Sequence, residues 1–259
     1  MGDNPESSTS QSPTDGSTVP PAAASATEGH PMANAEEDED CSRGEGLYKK
    51  VLSSFSKARN PSGEILCIPL AEAARTFIPV YGTIFGEGLV ASRLKKDLDN
   101  STTRVIEGAE AVKAADPQLE PVSVEVLIRE EVKRYGVEHL RKDSKSGVKN
   151  LLWMKRAVDF IVTLLENVAV LHPDQTTKQC STEAYNKILQ PYHGFLVSNI
   201  VSVAFNLCPT RPEFCAKLGF QDGPVIKDRV ESIWEVCRPI LDDVSNKLEQ
   251  YGCNFPDKV

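Results

Sequence analysis

The chain has 259 residues, 40% of them apolar, and a formal net charge of −8. That length suffices for one large domain or two small ones, and the longest apolar runs are broken by charge well short of a membrane span. No basic stretch leads into an apolar signal segment at the N-terminus, and the acid excess argues against a nucleic-acid partner.

The charge is unevenly placed. Residues 1–40 hold nine acidic residues and no Lys or Arg, leaving 28 acidic against 29 basic residues, a net of +1, for the remainder. The same segment is rich in Ser, Thr, Pro, Gly and Ala and has no aromatic residue. Val19 is its only β-branched aliphatic, and it ends in the acidic run from Glu36 to Asp40. It holds too little apolar surface to offset the entropy of ordering, so residues 1–45 are expected to be a disordered tail and 46–259 a folded domain. Seven cysteines, at 41, 67, 180, 208, 215, 237 and 253, are odd in number and contain no CxxC pair. This spacing suits neither a disulfide framework nor a zinc site, and a reduced, cytoplasmic setting is expected.

The body reads as helix almost throughout. Helices are expected over residues 47–57, over 65–77 with an end near Pro79, and over a long stretch from Ile84 to Ala115 that stops before Pro117. Val122 to Leu140 follows, with Val124, Leu127, Ile128 and Val132 on one stripe and charged residues opposite. Lys149 to Leu171 is the most apolar stretch and is expected to be a central helix ended by Pro173. Thr182 to Leu207 contains Pro191, which should kink the helix or start a new one. Pro212 to Leu218 is short, and Val225 to Tyr251 closes the chain with a kink expected at Pro239. No run alternates as a strand does. The expected class is all-α, about eight helices around one core.

Motifs of covalent chemistry are missing: no P-loop, no GxSxG, no HExxH, and no Glu three residues before any of the four histidines. No catalytic residue, metal or cofactor is therefore expected. Three weaker constellations stand out. Asp97, Ser101 and Arg104 lie at i, i+4 and i+7 on one helix face, where they could grip a polar head group or merely form a solvated face. Trp153, in Leu151-Leu152-Trp153-Met154, could stack on a sugar or sit in the core. Lys155 and Arg156 after it could serve the helix exterior or a buried carboxylate. His193, in Tyr192-His193-Gly194-Phe195, could donate an imidazole N–H to a ligand carbonyl or be structural.

The order of these blocks resembles the glycolipid transfer protein family. The resemblance rests on Asp97 to Arg104, Leu151 to Ala157, and Ala184-Tyr185 through Phe195, and spans roughly residues 47–255. It implies a two-layer all-helical sandwich with a lipid between the layers, its head group in a surface cleft and its chains in an apolar tunnel. It implies a non-enzymatic carrier or sensor of a glycosphingolipid: a monomer that touches membranes peripherally and transiently. Carried over by position, Asp97 would accept hydrogen bonds from head-group hydroxyls and the ceramide amide. Trp153 would stack on the first sugar, His193 would bond the ceramide carbonyl, and Phe195 would touch the membrane. Ser101 stands where glycolipid binders usually have Asn, and Arg104 where they usually have Lys.

Another branch of the family binds ceramide-1-phosphate, with Lys and Arg at the positions of Ser101 and Trp153. Those two residues point away from phosphate. Arg104 and Lys149, the latter one helical turn before Trp153, keep an anionic sphingolipid open as the alternative. A third reading is a helical interaction module that has lost transfer. The stretch from Arg129 to Arg156, with nine basic residues against four acidic, offers attraction to an anionic leaflet or a solvated helix face.

Overall fold

The computed structural model describes Met1, residues 46–220 and residues 224–259. The expectation of a disordered tail falls on residues outside this set. Among the described residues the fold is all-α, without a strand. Helix α1 covers residues 46–56, followed by α2 (Cys67–Arg75), α3 (Ile78–Phe85), α4 (Leu89–Ala115), α5 (Val124–Tyr135), α6 (Val137–Lys142) and α7 (Gly147–Glu166). After a π-helical turn (Asn167–Leu171) come α8 (Thr177–Ile188), α9 (Phe195–Ala204), α10 (Arg211–Lys217) and α11 (Pro224–Gln250). Short helices and 3-10 turns at the corners make the segments more numerous than the expected eight, around the same single core.

Proline and glycine explain where the segments differ from expectation. Pro79 lies in the first turn of α3, where its missing N–H costs nothing, so it starts a helix instead of ending one. The long stretch from Ile84 divides at Gly86–Gly88 into α3 and α4. Val122–Leu140 divides at Gly136, whose φ of 78° suits a residue without a Cβ. Pro191 falls in a 3-10 turn (Gln190–Tyr192) that ends one helix and leads to the next. Helix α11 runs on through Pro239.

Helix α7 is the centre of the fold, as its composition predicts. Every residue from Val158 to Leu165 is buried, and α4, α8 and α11 pack around it. A helix enclosed on all sides must be apolar on all sides. The one charge in this run, Asp159, is paired with Lys155 at 2.9 Å and with Arg238 of α11. Where α4 and α7 meet, their backbones nearly touch: a Cβ on Gly108 would lie 3.1 Å from the Gly147 Cα.

The start of α7 is fixed by a buried carboxylate. Glu131 of α5 accepts from the Ser146 hydroxyl at 2.8 Å and from the backbone N–H groups of Gly147 at 2.9 Å and Val148 at 3.1 Å. Ser146 in turn accepts from the Lys149 N–H at 3.1 Å. These bonds satisfy donors that a helix start leaves open, and a negative charge there suits the helix dipole. Replacing Glu131 with Ala strands buried donors, so unfolding in urea is expected to show a loss of about 2–4 kcal/mol. A loss below about 0.5 kcal/mol, the size of a neutral surface change, would contradict this assignment.

Candidate functional site

Helix α7 and the turn before α9 bring two of the expected residues together. The rings of Trp153 and His193 lie nearly parallel, at 18°, with centroids 6.1 Å apart. Both side chains are half-buried. The Tyr185 hydroxyl of α8 lies 3.0 Å from His193 Nδ1 and 3.2 Å from the Ser198 hydroxyl. One nitrogen of the imidazole is thus held by protein, which leaves Nε2 as the other polar atom of the ring. Burial, and secondarily the charge of Arg156, push the His193 pKa below its ordinary value, so the ring is neutral at pH 7.

Arg156 braces this pair. Its guanidinium carbon lies 3.3 Å from the Tyr192 ring centroid and 5.2 Å from that of Trp153. Nη2 donates to the Phe255 carbonyl at 2.7 Å and to Asn254 Oδ1 at 3.1 Å. Burial lowers its pKa to about 10, against the opposing effect of Tyr192, and it stays charged at neutral pH. The chain end is tied to the same turn: the Val259 N–H donates to the Tyr192 carbonyl at 3.0 Å, and the Gly194 N–H donates to the Val259 carbonyl at 2.7 Å. Arg141 secures the segment with two 2.7 Å bonds to Asp257.

The α4 trio is placed differently. Asp97 is exposed and paired with Arg93 at 3.0 Å. It sits close enough to the buried Tyr81 of α3 to add to the upward shift that burial gives that phenol. Ser101 is buried. Arg104 is half-buried and bonded to Glu107 at 2.5 Å. Among the described residues, the ion pairs of Asp97 and Arg104 stay within α4 or reach no further than its own face, although α4 packs against α7. Lys149 is half-buried and adds slightly to the lowering of the Asp257 pKa, which Arg141 dominates. Of the two charged residues that follow Trp153, Lys155 serves a buried carboxylate, and Arg156 serves the chain end.

Phe195 is 84% exposed at the first position of α9, and Leu196 beside it is 72% exposed. Ile200, Val203 and Leu207 continue the exposed apolar surface. Leu196, Ile200, Val203 and Leu207 are spaced four, three and four apart, one stripe of a helix, and α9 carries no charged residue to interrupt it. Of these exposed apolar residues the sequence singles out Phe195 alone. The signal for the rest was the charge-free run from Phe195 to Leu207.

Two clefts open beside α7. One, of about 200 Å³, is lined by residues of α7, α8, α11 and the chain end, Arg156 among them. The other, of about 250 Å³, lies at the end of α7 against Trp234 of α11 and contains none of the expected residues. Among the described residues no group of three or more His, Cys, Asp or Glu side chains could hold a metal ion, and no helix is long and apolar enough to cross a membrane.

A stacked Trp–His pair on an all-helical sandwich, beside an exposed apolar helix, defines a class of protein that comparison with known proteins identifies. Residues 65–220 match the family described as Glycolipid transfer protein (GLTP), and the chain belongs to that family. It is 30% identical to glycolipid transfer protein 1 of Arabidopsis thaliana over 169 residues, 65% of this chain and 77% of that one. It is 27% identical to the ceramide-1-phosphate transfer protein of Rattus norvegicus, over 77% of this chain and 91% of that one. In fold it resembles the crystal structure of human ceramide-1-phosphate transfer protein in complex with 12:0 ceramide-1-phosphate. The TM-score is 0.67 and the identity 20%, over 79% of this chain and 96% of that one.

The protonation of His193 is open to measurement. Because the ring is harder to protonate folded than unfolded, the unfolded chain takes up the extra proton between the lowered pKa and about 6.5. The contribution of His193 to stability is therefore complete above pH 6.5 and lost as pH falls through the folded value. NMR of the imidazole is expected to give a midpoint below 6.5, and a midpoint above it would contradict the buried setting.

Proposed function

We propose that the protein is a non-enzymatic carrier of a neutral glycosphingolipid, which it takes from one membrane and releases at another. The observation that carries this reading is the Trp153–His193 pair with Tyr185 on Nδ1. With Nδ1 held by the Tyr185 hydroxyl, Nε2 is the nitrogen left for the lipid, and the neutral tautomer with its N–H there donates to a ceramide carbonyl. An indole whose orientation is fixed from behind presents an apolar plane for a sugar ring at little entropic cost.

In this reading Asp97 and Ser101 receive the head-group hydroxyls and the amide. Freeing Asp97 costs little, because an exposed i,i+4 pair such as Arg93–Asp97 is worth only about 0.3–0.5 kcal/mol. Arg104 and Lys149 flank the head group. Both already face acids, Arg104 through Glu107 and Lys149 through the field of Asp257, which favours a neutral head group over phosphate. Their charges nonetheless keep ceramide-1-phosphate as the second reading, and a relative carries that ligand in its name.

The exposed stripe of α9, led by Phe195, is the membrane contact. Contact is peripheral and brief, since tight binding to either bilayer slows release. The carrier acts as a cytoplasmic monomer, with residues 46–259 as the lipid-binding domain and the acidic residues 1–45 as a tail.

Transfer of labelled glucosylceramide and ceramide-1-phosphate between vesicles separates the readings. Glucosylceramide is expected to move, and Trp153→Ala, shown by circular dichroism to be folded, is expected to remove most of the transfer. Movement of ceramide-1-phosphate alone would overturn the choice of ligand, and movement of neither would leave an interaction module. Replacing both Phe195 and Leu196 with Ala removes apolar contacts worth about 1.5–3 kcal/mol each when fully buried. Vesicle sedimentation is expected to show binding reduced at least tenfold, and unchanged binding would place the membrane contact elsewhere.

A further inference from the structure

We propose that the cleft between α7, α8 and α11, which Arg156 lines and Trp153 does not, is a binding site for a phosphate group, separate from the lipid head-group cleft. Three cationic side chains line it, Lys155, Arg156 and Lys187, against one carboxylate, Asp159. That carboxylate is already shared between Lys155 and Arg238, which does not line the cleft. The local balance is therefore strongly positive in a chain that is acidic as a whole.

Two donors at the rim are uncommitted. Lys187 is exposed and makes no ion pair among the described residues, and the half-buried Ser245 hydroxyl has no hydrogen-bond partner among them. Asn254 turns one amide N–H to Glu249 and its carbonyl to Arg156, so it positions the guanidinium. Arg156 is almost fully buried, bonds Asn254 and the Phe255 carbonyl through Nη2, and lies against Tyr192. A desolvated cation with a fixed plane, an exposed ammonium and a hydroxyl around one small cleft is a donor set that suits phosphate oxygens. At about 200 Å³ the cleft is smaller than the roughly 300 Å³ and more of drug-sized ligand pockets, so it suits a phosphate group and not a larger ligand. Arg156 also lies against the Trp153 ring, so occupancy of this cleft reaches the Trp153–His193 pair through a shared side chain.

The proposal does not depend on lipid transfer, and its test does not use it. In a Trp234→Phe background, Trp153 is the sole indole and reports on Arg156. Inorganic phosphate is titrated against potassium chloride of equal ionic strength, reading Trp153 emission and Tm. A saturable, phosphate-specific change in emission with a rise in Tm is expected. Lys187→Ala and Ser245→Ala, both away from the core, are expected to weaken it about tenfold, the worth of one charge-assisted hydrogen bond. Phosphatidylcholine vesicles with and without phosphatidic acid identify the source. Competition by phosphatidic acid assigns the site to a lipid head group, and binding of phosphate without such competition assigns it to a soluble phosphate ester. No phosphate-specific change in either signal, or a change of equal size and midpoint in both variants, would overturn the proposal.

Discussion

The need to satisfy one buried cation organises the site. Arg156 lies on the central helix in an apolar setting, where an unpaired guanidinium would be prohibitively costly. Its solution is the Tyr192 ring on one side and two acceptors from the chain end on the other. That arrangement fixes the turn after α8 against α7 and pins the last residues of the chain across both. Trp153, one turn earlier on the same helix, takes its position against this assembly, and His193, next to Tyr192, is brought parallel to it. The proposed ligand surface is therefore a by-product of how a charge is buried. Its parts come from three distant points in sequence and are bonded to one another.

A second buried polar group does comparable work at the start of the same helix. Glu131 ties α5 to the start of α7, and the near contact of Gly108 with Gly147 sets how closely α4 can lie alongside. Asp159 joins α7 to α11. The central helix is thus located along its length by Glu131, Arg156 and Asp159, each buried and each multiply bonded, while apolar residues fill the core between them. This division is physically reasonable: apolar packing is strong but tolerant of sliding, whereas a hydrogen-bonded charge has one acceptable register.

Much of this was legible in the sequence, and the reasons differ by feature. Helix content followed from spacing, and the enclosed character of α7 from its unbroken apolar composition. Boundaries were harder because proline has two meanings: Pro79 and Pro191 both lie at the start of a helical turn, and nothing local distinguishes that from an end. Trp153 and His193 were visible as a pair only through resemblance to a family, since a helix with one Trp or one His is commonplace. Arg156 was visible as a charge in an apolar run, but its acceptors lie 98 and 99 residues away and one is a backbone carbonyl, which no side-chain pattern announces. The apolar stripe of α9 was readable as a charge-free amphipathic run, yet exposure is a property of the finished fold, and the same run could have been core.

The acid excess behind the net charge of −8 lies within residues 1–40 of the sequence. The exposed stripe on α9 is apolar and uncharged, and the cleft behind Arg156 is cationic. The proposed seat of the sphingolipid head group is the Trp153–His193 pair, and a crystal structure with bound galactosylceramide is its sharpest test. The sugar ring is expected to lie along the Trp153 indole, with the ceramide carbonyl within hydrogen-bond distance of His193 Nε2. A lipid seated with its sugar elsewhere, and with Trp153 and His193 untouched, would contradict it.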